Sequence, residues 1–185
     1  MQQNKNPFPI SLHNTHVKLL AFDLLTLTPP ISPNHSFTRN SIPITRAETV
    51  GTITLRDHKP FKFLRFAIDD GTGCIPCILW LNHMTSPHLA RRRSPQDLCL
   101  LADAAARSAE VVKVGNVARV RGRVTEYKGG VQITVTDVIS ERDPNVEVLH
   151  WVECVNLARN CYNLVNVSSS SGSGSGSGSV VPKLN

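Results

Sequence analysis

Cys74 and Cys77 stand three residues apart behind two adjacent carboxylates, Asp69 and Asp70, in the stretch DDGTGCIPCILW. A Cys-x-x-Cys beside paired carboxylates is a pattern for a metal or redox centre. The same residues also read as a turn between two strands, with Asp and Gly at the turn and apolar runs on both sides. Spacing separates the readings. Side chains of an extended strand alternate between faces, so residues three apart point away from each other and cannot share one ion. Ile75, Cys77, Leu79 and Leu81 fall on one parity and make a buried strand face. Cys74 and Cys77 are therefore expected to be packing residues. Asp69 and Asp70 are expected to form the turn by bonding backbone two residues on, with Gly71 and Gly73 supplying positive φ.

Catalytic patterns are absent: there is no phosphate loop, no Gly-x-Ser-x-Gly and no His-Glu-x-x-His. The seven histidines show no zinc-type spacing to the cysteines. The sequence reads as a non-enzyme without a metal or cofactor.

Binding chemistry is better represented. Arg119, Arg121 and Arg123 share one parity, while Ala118, Val120, Gly122 and Val124 share the other, which makes one face of a strand basic. Lys128 extends that face, and a phosphate backbone crossing it could make several charge-assisted contacts. The alternative is an ordinary solvated strand face. Single-stranded nucleic acid is held by basic grooves carrying aromatic platforms. Trp80 at a strand end and Tyr127 beside a hairpin tip are the candidate platforms. Phe61 and Phe63 are candidates too, with barrel packing as the competing reading.

The elements that must position these residues follow from pattern. Residues 1–15 and the Pro-rich stretch 28–43 read as irregular, and HVKLLAFDLLTL between them fits either helix or strand. Segments 48–56, 61–68 and 74–81 read as a three-stranded meander, with Gly51 marking a bend or bulge. Ser94-Pro95-Gln96-Asp97 starts a helix whose buried stripe is Leu98, Leu101, Ala102, Ala105, Ala109 and Val112. Segments 116–127 and 131–139 form a hairpin across Lys128-Gly129-Gly130. Three strands, a helix and two strands is the order of an OB-fold, an all-β five-stranded Greek-key barrel with a helix between strands three and four. Asp143 and Pro144 then open a further C-terminal helix with Val148, Leu149, Trp151, Val152, Val155, Ala158 and Tyr162 on a broad apolar face.

This gives a disordered N-terminus at 1–15 and an OB-fold domain with an N-terminal extension at 16–142. A helix at 143–163 and a flexible Ser/Gly-rich tail at 164–185 follow. A chain of 185 residues with net charge +6 favours an anionic partner, nucleic acid first. The lack of a long apolar run, of a signal-type N-terminus and of an even cysteine count points to a soluble, intracellular protein away from membranes.

With these blocks in order, AETVGT, FLRFAIDDGTGCIPCILW, VARVRGRVTEYKGGVQITVTDV and ERDPNVEVLHW, the chain resembles the Stn subunit of the CST telomere-capping complex over residues 15–163. It is most similar to the short plant-type form, and the family is itself similar to the middle subunit of replication protein A. Longer members carry winged-helix domains after the barrel, which residues 164–185 do not resemble. The resemblance implies a nuclear protein at the telomeres of chromosomes that binds single-stranded telomeric DNA. It further implies partnership with a small Ten subunit and a large subunit, and assistance to fill-in by DNA polymerase alpha-primase. By position it assigns DNA binding to Trp80, Arg119, Arg121, Arg123 and Tyr127, which Lys128 joins from the charge pattern. The apolar face of the last helix, with Val148, Trp151, Val152, Val155 and Tyr162, is broader than a barrel-capping helix needs and is expected to be a partner site. The resemblance names the small Ten subunit as that partner, and packing on the chain's own barrel is the other reading. An RNA-binding OB module and a purely structural OB subunit are the other readings of the barrel.

Overall fold

The computed structural model describes residues 12, 14–30, 32 and 36–162. Most of the expected disordered N-terminus, all of the Ser/Gly tail and the Tyr162 side chain lie outside what is described. Two short elements lead, β1 (His16–Lys18) and α1 (Ala21–Leu25). A hairpin follows, β2 (Phe37–Arg39) and β3 (Ile42–Ile44), then three long strands, β4 (Arg46–Lys59), β5 (Phe63–Asp69) and β6 (Cys74–Trp80). After α2 (Pro87–Ala90) and α3 (Pro95–Val111) come β7 (Val117–Tyr127), β8 (Gly130–Ser140) and α4 (Asn145–Leu157), which runs into a π-helical turn, Ala158–Tyr162.

Strands β4, β5, β6, β8 and β7 pair in that order, and β7 returns to pair with β4, closing a five-stranded barrel. The closure follows from alternation. Leu64, Phe66 and Ile68 on β5, Ile75, Cys77 and Leu79 on β6, Ala118, Val120 and Val124 on β7, and Ile133 and Val135 on β8 are buried together. Strand β4 serves both edges, pairing through Arg46–Thr52 with β7 and through Thr52–Lys59 with β5. Gly51 permits the crossing, because a Cβ there would collide with the Asp69 carbonyl of β5. The bulge itself lies between Ile53 and Leu55, three residues beyond the glycine expected to mark it.

Helix α3 begins as its sequence demands, with Ser94 Oγ accepting from Asp97 N at 3.1 Å and Pro95 in the first turn. Its buried stripe is narrower than expected. Leu98, Ala105 and Ala109 are buried, whereas Leu101 sits at the margin and is exposed. Helix α3 lies against β6 and β8.

Among the described residues before the barrel, 37–39 and 42–44 form strands, contrary to the irregular reading of 28–43. Strand β1 pairs in parallel with β4, and β2 and β3 meet across Asn40 and Ser41, both at positive φ, as a two-residue hairpin loop requires. Val17, Leu19, Leu24, Leu27, Phe37 and Ile44 join the core.

Candidate nucleic-acid interface

The Asp69-Asp70 turn has a structural role. Asp69 Oδ1 accepts from Gly71 N at 2.8 Å, and Asp70 Oδ1 accepts from Thr72 N at 2.9 Å and Thr72 Oγ1 at 2.6 Å. Asp70 Oδ2 reaches across to accept from Ala21 N at 2.7 Å, so this buried carboxylate caps α1 from another part of the chain. Gly71 has positive φ as expected, but Gly73 does not; a Cβ at Gly73 would instead strike Leu25. Cys74 is exposed and Cys77 buried, on opposite faces of β6, and burial drives the Cys77 thiol pKa far up. Among the described residues no group of three or more His, Cys, Asp or Glu is placed to hold a metal.

The outer face of β5 and the strand ends beside it carry a different constellation. Phe63 and Trp80 lie directly opposite each other on β5 and β6, edge to face, with ring centroids 6.2 Å apart. The Arg65 guanidinium lies 4.5 Å from the Phe63 centroid and 5.2 Å from that of Tyr127, so one cation joins two rings. Lys59 stands 5.5 Å over Phe63, and Lys128 5.4 Å over Tyr127. Lys128 reaches that position from a tight loop in which it and Gly129 both have positive φ. Trp80 and Tyr127 keep 43% and 37% of their surface exposed, so these rings are not core. Arg65 Nε has no hydrogen-bond partner, and none of Lys59, Arg65 and Lys128 forms an ion pair among the described residues.

The structure thus brings Trp80, Tyr127 and Lys128 to one face and adds Lys59, Phe63 and Arg65. Parity could have found two of these, since Phe63 and Arg65 alternate with the buried Leu64, Phe66 and Ile68. The packing reading of Phe63 fails for that reason.

The arginines of β7 lie elsewhere and need correction. Arg119 Nη1 donates to Glu48 Oε1 at 2.7 Å and its Nε to Glu141 Oε1 at 2.7 Å, while Arg121 Nε donates to Glu48 Oε2 at 2.5 Å. Glu48 is only 3% exposed, and Lys18 lies 3.8 Å from the same carboxylate. Burial alone would raise the Glu48 pKa, but the bonds from Arg121 and Arg119 outweigh it and hold the carboxyl below its usual range. Arg119 and Arg121 are therefore neutralised on the protein rather than free for phosphate. Six residues of strand separate Arg121 from Tyr127, about 20 Å along β7. Arg123 is exposed and outside this network.

That network borders α4. Lys18 also pairs with Glu153 of α4 at 2.6 Å, and His150, buried under the helix, has its Nε2 3.4 Å from the Leu19 carbonyl and 3.3 Å from Cys154 Sγ. Burial lowers the His150 pKa and pushes the Cys154 thiol up to about 12. Trp151 Nε1 donates to the Asp70 carbonyl at 3.1 Å. Helix α4 therefore docks through His150, Cys154 and the Trp151 indole edge, and leaves Val148, Leu149, Val152 and Val155 exposed in a row.

Residues 47–140 match a family described as "OB-fold nucleic acid binding domain". The Arabidopsis thaliana protein named "CST complex subunit STN1" is 47% identical over 155 residues, 83% of this chain and 96% of that protein. The chain belongs to the Stn1 family of CST complex subunits. The Bos taurus Stn1 protein is 29% identical over 156 residues, which are 79% of this chain and 42% of that longer protein. Among the solved structures that share this OB-fold are two that match most of the chain. One is the S. pombe Stn1-Ten1 complex, with TM-score 0.60 and 19% identity over 82% of this chain and 95% of that one. The other is a replication protein A heterotrimer bound to single-stranded DNA, with TM-score 0.59 and 16% identity over 79% and 97%.

Proposed function

We propose that this chain is a single-stranded DNA-binding subunit of a telomere-capping complex, and that the strand crosses the face built by Lys59, Phe63, Arg65, Trp80, Tyr127 and Lys128. The observation that carries this reading is the Arg65 guanidinium held between the Phe63 and Tyr127 rings, with Trp80 against Phe63. The exposed Trp80 and Tyr127 rings offer platforms for bases whatever the sequence, and Lys59, Arg65 and Lys128 beside them bring positive charge to the phosphates of a strand lying on that face. Arg123 supplies a further phosphate contact from β7.

The exposed valines of α4, with the remaining edge of Trp151 and with Tyr162, form the site for a small Ten subunit, through which the chain joins the large subunit. In that assembly the protein acts in the nucleus at chromosome ends, protecting them and assisting fill-in by polymerase alpha-primase. Binding of matched single-stranded DNA, single-stranded RNA and duplex DNA tests the first part. A clear preference for single-stranded DNA, with affinity falling as salt rises, supports it. Equal binding of RNA favours a general RNA-binding OB module, and no binding favours a structural subunit. Copurification of the small Ten and large subunits from nuclear extract tests the second part.

A further inference from the structure

Part of one edge of β4 has no partner strand. Through Arg46–Thr52 this strand pairs with β7, and through Thr52–Lys59 with β5 alone. Asn116 O and Gly115 N still meet the Ile53 main chain at 2.9 and 2.8 Å, and beyond Ile53 no strand lies on that side among the described residues. The register tells which groups are left over. The Lys62 carbonyl accepts from Leu81 N, just after β6, at 3.0 Å, so along β5 the main-chain groups of Leu64 and Phe66 turn to β6 and those of Phe63, Arg65 and Ala67 to β4. Their partners Lys59, Asp57 and Leu55 are the β4 residues bonded to β5, and Arg56 and His58 hold their N–H and C=O outward. Among the described residues the one further hydrogen bond at this pair comes from a side chain, Arg56 Nε donating to the Val112 carbonyl at 2.9 Å.

This edge borders a cavity of about 430 Å³. Arg56 and His58 lie opposite the buried Phe66 and Leu64, so their side chains leave the sheet on the core side, away from Phe63 and Arg65. Helix α3 faces them across the cavity with Ala102, Ala106 and Ala109, and Leu81 and Met84 add apolar lining. Phe61, 81% exposed, lines it from the turn after β4. Arg56 is the one Lys or Arg in the lining, and Glu110 stands near it, since both also line the neighbouring cavity around Val112. Asp103, two helical turns before Glu110, has no ion pair among the described residues.

We infer that an extended segment of a partner protein adds to β4 along Arg56 and His58, with a large apolar side chain in the cavity and a Lys or Arg two residues from it reaching Asp103. Open donors and acceptors on a strand edge take up a further strand, whose alternate side chains all fall on one side. Here that side is the cavity, which selects an apolar residue, and the uncompensated Asp103 selects a cation beside it. The site shares no residue with the face proposed for DNA or with the valine row of α4, and stands independently of both.

The test uses the full chain, isotope-labelled for amide exchange, and synthetic heptapeptides of sequence Thr-Lys-Thr-Leu-Thr-Lys-Thr, with Phe or Met also tried for Leu, beside a second set with Glu for Lys. Binding of the Lys set should slow exchange of the Arg56 and His58 amides by about 10-fold once about nine-tenths of the chain is bound, and leave the Asp57 amide, bonded to β5, unmoved. Asp103→Lys should weaken the Lys set by about 10-fold or more and favour the Glu set, because attraction becomes like-charge repulsion. Ala106→Trp fills the cavity from an exposed helix position and should abolish binding with the melting temperature kept. His58→Pro removes an N–H that faces off the edge, where Pro is tolerated, and should do the same. If no Lys peptide binds, if one binds without slowing Arg56 and His58, or if Ala106→Trp binds as wild type does, the edge takes no such strand. Slow exchange at both amides in the free chain would also overturn the inference. Independence of protein concentration would then assign the edge to another segment of this chain, and dependence on it to a second copy.

Discussion

Arg119 and Glu48 are joined at 2.7 Å across the pairing of β7 with β4, with the Glu48 side chain 3% exposed. Replacing Arg119 with Ala leaves a buried carboxylate with one guanidinium fewer. We expect a loss of about 2–3 kcal/mol in urea unfolding, less than for an ion pair with no second partner because Arg121 remains. The salt dependence of DNA binding should hardly change. Lys128→Ala should do the reverse, leaving stability alone and lowering the slope by about 0.7, one phosphate contact on a single strand. A flattened slope in Arg119→Ala would return that arginine to the DNA path.

Docking of α4 should depend on pH. Burial lowers the His150 pKa, Arg119 and Lys18 act the same way, and the Leu19 carbonyl and Glu48 oppose them. The unfolded chain then takes up a proton near pH 6.5 that the folded chain refuses, so stability declines as pH falls below about 6.5. One such group contributes a slope of up to about 1.4 kcal/mol per pH unit. His16 and His83 are lowered too, so the quantity to measure is the difference between wild type and His150→Gln. Denaturant unfolding at pH 7.5 and 5.5 should show a smaller pH loss in the variant; an equal loss would mean His150 does not hold a depressed pKa.

The apolar row of α4 predicts a separation of folding from assembly. Val152 and Val155 are 53% and 38% exposed, so changing both to Asp should leave the circular dichroism spectrum and DNA affinity of the isolated chain unchanged. Heterodimer formation with the small Ten subunit should be abolished, because charge would be buried without a partner. Unfolding of the isolated chain by the same pair would place those valines in the protein's own core.

How far the sequence could be read depends on whether the signal was local. Period-two alternation in 63–69 and 117–124 reports directly which side chains enter the barrel, and the succession of three strands, a helix and two strands pointed to the OB topology. The three-residue strands β1, β2 and β3 are too short for any period, and their register comes from pairing with β4 and across the hairpin. The basic parity of Arg119 and Arg121 was visible, but Glu48 lies 71 and 73 residues away and meets them only once β4 and β7 pair. On α4 the apolar residues were legible, yet the docked side is His150 and Cys154, types whose burial depends on the Leu19 carbonyl reaching them. Phe63 was visible as an aromatic, and only its contacts with Trp80 and Arg65 show that it lies outside the barrel core.

The face around Arg65 is proposed to hold single-stranded DNA. The most direct test is the dissociation constant of the full chain for a single-stranded deoxyoligonucleotide, by fluorescence anisotropy, for wild type and Trp80→Ala with melting temperatures beside it. Trp80 is 43% exposed, so the variant should melt close to wild type while its binding weakens by about 1–3 kcal/mol. Unchanged affinity in a folded Trp80→Ala protein would contradict the account.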